Sequence, residues 1–255
     1  MSEHNRQSYA AHWPGADAVP LQAAVWRLRV RGCWNEAASL LAEAARHNPA
    51  AALECAALLT EKCLFTHDGW QDAEEAMTHA EAMAGDDKAA VGAAASERAF
   101  LAYAAALAGG QDRKAEAFAA LDKAGNCLDE HSPGWAQHEF RRGLLFENLT
   151  GDLVAAQAAY ERAHAAAEAN GDAMLLSYTS RHLGSIAQRS GELNKAHHYY
   201  SESLRLREET AFAIGIAPAL AALASVSAEP EASRLRAEAP GSYGLSTACR
   251  YGSPD

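Results

Sequence analysis

Aromatic residues are scarce in this 255-residue chain, 7% of the total; alanine dominates the apolar set, each helix buries little area, and many must stack to make a stable body. Basic charge is also short: 22 Lys and Arg stand against 33 Asp and Glu, a formal net charge of −11. That balance excludes a broad nucleic-acid or anionic-membrane surface, since both need a basic face. No stretch reaches 18 apolar residues free of charge, so no membrane-spanning helix is expected. Cysteine is sparse and odd in number (Cys33, Cys55, Cys63, Cys127, Cys249). Without close pairs it excludes a disulfide framework and predicts reduced thiols in the cytoplasm. No apolar stretch follows Met1-Ser2-Glu3-His4-Asn5-Arg6, which predicts no signal peptide. There is no Gly-x-Ser-x-Gly elbow and no Cys-x-x-Cys. His197 and His198 are adjacent and so point to different faces, and neither a nucleophilic catalyst nor a metal site is indicated.

What the chain has is alanine in long windows with Glu, Leu and Arg, and a repeat. Alanine is the best helix former, and such windows predict an all-helical protein with closely approaching helices. Phe140…Gly151-Asp152…Ala156…Tyr160…Ala163 can be laid on Ser180…Gly191-Glu192…Ala196…Tyr200…Ser203, with the glycines 40 residues apart. A fixed period of this size marks a stacked-repeat architecture. The same turn recurs at Gly32-Cys33-Trp34, His67-Asp68-Gly69-Trp70 and Gly110-Gln111-Asp112, each time between two apolar-periodic segments of about 14 residues. Asn48-Pro49, Ser132-Pro133 and Asn170-Gly171-Asp172 separate one pair from the next as helix stops and caps. Five helix pairs are therefore expected between residues 17 and 209. An apolar helix over 211–226 with Pro218 inside follows, and then a short one over 230–238. Residues 17–239 form the repeat domain, while 1–16 and 240–255 lack periodicity and are expected to be flexible.

These anchors resemble the tetratricopeptide repeat, most closely in Leu183-Gly184…Gly191…Ala196…Tyr200 and next in Phe140…Gly151…Ala156…Tyr160. The resemblance implies an all-α fold: a right-handed α-α superhelix of about five such helix pairs plus a C-terminal capping helix. In the second and third repeats Met77 and Ala119 replace the second-helix aromatic. Periods near 40, with Ser203-Leu204-Arg205-Leu206-Arg207-Glu208-Glu209 leading into Gly215-Ile216-Ala217-Pro218, look like the arrays of bacterial multidomain transcriptional regulators, where the array senses or docks. Neither an ATPase phosphate loop nor a helix-turn-helix reader accompanies it here.

The resemblance implies that the first helix of each pair lines a concave face. On the fourth pair the solvent-facing places fall on His138, Arg141, Arg142, Leu145 and Asn148, and on the fifth on Tyr178, Arg181, His182, Ser185, Gln188 and Arg189. Residues 173–191 hold Arg181, His182 and Arg189 and no acidic residue, in a chain of net −11. Arginines so gathered suit carboxylate or phosphate recognition. Equally, they suit struts to Glu97, Glu139 and Glu147 on neighbouring helices.

The reading that follows is a binding protein. Glu97, His138, Arg141, Arg142, Glu147, Asn148, Tyr178, Arg181, His182, Gln188 and Arg189 are its candidate ligand-binding residues, with no cofactor. The expected partner is an acidic peptide or protein segment, or a small anionic ligand, with no direct nucleic-acid or membrane contact. The alternative is an enzyme enclosing a small anionic substrate, with Glu97, Glu147, Tyr178 or His182 as acid or base. A homodimerising scaffold is a third possibility.

Overall fold

The computed structural model describes residues 20–109 and 112–239. The two segments expected to be flexible, 1–16 and 240–255, lie outside the described residues, as do Cys249 and two positions of the 110–112 turn. The described residues form twelve α-helices and no strand.

The helices come in consecutive antiparallel pairs. They are α1 (Pro20–Arg29) with α2 (Trp34–Ala45), α3 (Pro49–Thr66) with α4 (Trp70–Ala84), and α5 (Lys88–Leu107) with α6 (Lys114–Cys127). Next, α7 (Pro133–Leu145), extended by a π-helical turn η1 (Phe146–Thr150), packs on α8 (Leu153–Asn170), and α9 (Ala173–Arg189) on α10 (Leu193–Glu209). A sixth pair, α11 (Ala213–Ala224) and α12 (Glu231–Glu238), ends the array. Local chemistry sets these boundaries. Asn48 Oδ1 accepts the Ala50 and Ala51 amides at 2.9 and 3.2 Å, and Asp152 and Asp172 cap α8 and α9 in the same way at 3.0 Å. Each satisfies donors that a helix start leaves orphaned. Gly151, Gly171 and Gly191 carry φ of 72°, 66° and 77°, the left-handed values a tight helix stop requires. Ser132 differs from expectation: it makes no cap bond, and its hydroxyl instead donates to Asp129 O at 2.7 Å.

Within a pair, small residues admit large ones. A Cβ on Gly184 would lie 2.7 Å from the Tyr200 ring, and one on Gly143 would collide with Tyr160. Both tyrosines are buried there, and each contributes about 1.5–3 kcal/mol of hydrophobic stabilisation. Successive pairs then stack into a helical-repeat superhelix, with first helices side by side: α3 on α5, and α5 on α7.

This row of first helices closes on itself. Trp26 and Val30 at the end of α1 are buried with Met174 of α9 and Phe212 before α11. In addition, the Ile214 amide donates to Val30 O at 3.3 Å. The first pair thus touches the fifth and sixth across a seam.

Candidate functional site

Three acid–base links tie neighbouring first helices together. Arg29 of α1 grips Glu61 of α3, with Nε 3.0 Å from Oε2. Arg141 of α7 pairs with Glu97 of α5, donates to Ser96 Oγ at 2.9 Å and lies 5.2 Å from the Phe100 ring. Glu147, in η1, meets His182 of α9: its Oε2 accepts from His182 Nδ1 at 2.8 Å and from Tyr160 OH at 2.7 Å, while Arg189 approaches Oε1 at 3.3 Å. An ionised carboxylate only accepts, so Nδ1 carries the imidazole proton.

Electrostatics follow from this packing. Burial alone would raise the Glu147 pKa, but the bond from His182, the Tyr160 hydroxyl and Arg189 outweigh it and hold the carboxyl at about 2. Burial depresses His182 below its ordinary 6.5 against the pull of Glu147, leaving the ring neutral at pH 7. A carboxylate at about 2 is a poor proton acceptor near neutrality, since a general base works best near the operating pH.

The predicted site residues are not a solvent-facing set. Glu97, His138, Arg141, Glu147 and His182 are all buried between neighbouring helices. Arg142 lies 3.3 Å from Glu139, and Arg162 of α8 reaches the same buried carboxylate at 2.6 Å. Asn148 Nδ2 donates to Tyr103 OH at 3.0 Å and to Leu144 O at 3.1 Å. Gln188 accepts from Tyr200 OH at 2.8 Å and donates to Ser225 Oγ at 3.2 Å. His138 packs on Trp135 with ring centroids 5.0 Å apart, and burial pushes its pKa down to about 4. Arg141, Arg142 and Arg189 are therefore struts to Glu97, Glu139 and Glu147.

Arg181 stands apart. Its guanidinium lies 5.4 Å from the Tyr200 ring centroid and it has no carboxylate partner among the described residues. Tyr178 sits 5.7 Å from Phe140 and 5.6 Å from Phe212. Arg207 of α10, which sequence reasoning missed, completes the group. Buried, it stacks 5.6 Å from both Tyr178 and Phe212 and donates to Gly215 O at 2.6 Å. Its signal was available: with Ser203, Leu206 and Thr210 it shares the buried face of α10. Arg181 and Arg207 both act on His182, disfavouring its protonation.

The register between the last two full pairs also differs from expectation. Gly151 and Gly191 are 40 residues apart, yet Gly143 and Gly184, which admit the equivalent tyrosines, are 41 apart. The extra residue is absorbed in η1, π-turns being a common way to accommodate one. Upstream of η1 the counterpart of His182 is therefore Arg141, not Arg142.

The surface of the described residues includes two hollows. One of about 10 Å³, room for a single water, is lined by Leu183, Ile186, Ala187 and Tyr199 among others. The other, about 430 Å³, lies along α4 beside Glu74, Glu75, Thr78, His79 and Ala82. Neither includes a predicted site residue. Among the described residues no group of His, Cys, Asp and Glu is placed to hold a metal, and no helix is long and apolar enough to cross a membrane.

No family model matches the chain, and no curated protein does. Among solved structures, the fold is similar to the crystal structure of BtubC (BKLC) from P. vanneervenii. The two are 14% identical, the match covers 87% of each chain, and the TM-score is 0.53. At that identity the likeness is one of fold.

Proposed function

We propose that the chain is a tetratricopeptide-type binding module that holds a carboxylate of an acidic peptide or protein segment beside α9. The observation that carries this reading is Arg181, a cation stacked on Tyr200 without a carboxylate partner among the described residues. Arg207 and His182 stand close by, in a chain of net −11. A guanidinium already fixed against a ring loses less freedom on meeting a carboxylate, and charge-assisted bonds of this kind contribute about 1.5–3 kcal/mol. The struts hold the wall and Arg181 meets the ligand. The free thiols among the described residues, Cys33, Cys55, Cys63 and Cys127, suit the cytoplasm, here of a bacterium.

The test is fluorescence anisotropy with a labelled octaglutamate peptide. The parent binds it and ignores octalysine, and binding weakens with salt. Arg181→Ala loses at least tenfold in affinity with unchanged helicity by circular dichroism. Arg181→Lys, which keeps the charge but loses the planar stack, recovers only part of it. Equal affinity in Arg181→Ala sinks the reading.

A further inference from the structure

Of the three acid–base links between first helices, one is incompletely bonded. Both oxygens of Glu61 accept, from Arg29 and from Trp34 Nε1. Both oxygens of Glu147 are met, by His182, Tyr160 and Arg189. Glu97 uses Oε2 alone, for Arg141 Nη2, while Arg141 Nη1 donates to Ser96 Oγ at 2.9 Å. Glu97 Oε1 and Arg141 Nε are left without a hydrogen-bond partner among the described residues, and so is Nδ1 of His138.

These three atoms belong to one place. Nε shares a carbon with Nη2, and Oε1 shares one with Oε2, so both lie beside the Arg141–Glu97 contact. His138 precedes Arg141 by three positions, on the same face of α7, and is near enough for the guanidinium to disfavour its protonation. Glu97, Arg141 and His138 are only 4, 7 and 4% exposed, so bulk solvent does not serve them. A buried polar group without a partner loses its hydration and regains nothing. In folded proteins nearly all such groups bond to protein or to ordered water.

The chemistry of the three atoms selects their partner. Arg141 Nε–H needs an acceptor, and the carboxylate oxygen Glu97 Oε1 needs a donor. A cation has no lone pair to offer and is repelled by the guanidinium. An anion brings no proton and is repelled by the carboxylate. Burial pushes the His138 pKa down to about 4, so the ring is neutral at pH 7 and Nδ1 is free to accept. An alcohol hydroxyl carries one proton, too few for Glu97 and His138 together.

We infer that Glu97, His138 and Arg141 form a binding site for one internal water, which accepts from Arg141 Nε–H and donates to Glu97 Oε1 and His138 Nδ1. About three bonds is what a buried water typically makes. The ring proton of His138 then sits on Nε2, the nitrogen packed against Gly125 of α6. Through the water, His138 becomes the third member of the α5–α7 link.

Oxygen-17 relaxation dispersion counts the waters a protein holds for longer than it takes to tumble, and reads the site in the full chain. Glu97→Leu with Arg141→Met replaces the pair by apolar side chains of similar size, an exchange that folds often tolerate. The count falls by one, with helicity unchanged by circular dichroism; an equal count in the folded double variant overturns the site. Should that variant unfold, His138→Phe decides. It removes one of three partners and shortens the residence of one water by roughly tenfold, the effect of one lost hydrogen bond. Unchanged count and residence overturn the site. In the parent, nitrogen-15 shifts of the labelled imidazole at neutral pH place the proton on Nε2, and a proton on Nδ1 overturns the arrangement.

Discussion

Arg141 and His182 occupy the same place in successive repeats, 41 residues apart, and do the same work with different chemistry. Each reaches back from the first helix of its own pair to a buried carboxylate on the first helix before it, Glu97 in one case and Glu147 in the other. The α5–α7 link carries a fixed charge, because a guanidinium stays protonated at any accessible pH. The η1–α9 link contains an imidazole held neutral, and its carboxylate is shared with Tyr160 and Arg189. One joint rests on a single buried charge pair and is intolerant of mutation. The other has spare partners but yields to protons.

The largest expected effect follows from removing the fixed charge. Arg141→Ala strands Glu97 in the interior and costs about 3–5 kcal/mol in chemical denaturation, whereas His182→Ala costs less because Tyr160 and Arg189 stay on Glu147. Equal losses would break the comparison. Next come the two glycines behind the links. Gly143→Leu and Gly184→Leu each cost about 1–3 kcal/mol by overpacking against Tyr160 and Tyr200. An unchanged melting temperature in either would refute the register that equates them.

Acid sharpens the contrast. His182 titrates below 6.5 when folded, so the unfolded chain takes up the proton first and stability is lost as pH falls from about 6.5. Glu147, held at about 2 against an ordinary 4.5, adds a loss in the same direction between those values. His138, pushed from 6.5 to about 4 by burial, contributes a further loss of about 3 kcal/mol across that interval. His138→Gln and His182→Gln together therefore flatten the stability profile between pH 6.5 and 4. A slope unchanged in the double variant would place the titration elsewhere. The smallest effect belongs to Arg142→Gln, under about 1 kcal/mol, since Arg142 is half-exposed and Arg162 still holds Glu139.

The helix pairs were legible because their signals are local. Pro49 behind Asn48, and Gly151, Gly171 and Gly191, act through their own φ values and neighbouring amides, and the period carries that information along the chain. The links were half legible: Glu97, Glu139 and Glu147 were identifiable as partners, but nothing distinguished Arg141 as a strut from Arg181, which has no carboxylate partner among the described residues. That difference depends on which side of α7 faces α5, and the inserted residue in η1 shifts it by one. The seam was not legible at all. Trp26 and Met174 are 148 positions apart, and their meeting reflects the accumulated curvature of five pairs, to which each repeat adds only a small rotation.

One widened turn in η1 has an evolutionary consequence. Gaining or losing a single codon there rotates everything on its far side by about 100° around the helix axis, enough to swing Glu147 toward or away from Tyr160 and His182. The packing of Gly143 on Tyr160, one turn earlier, need not change. A tandem array built from near-copies can thereby give one unit a new electrostatic character in a single genetic step.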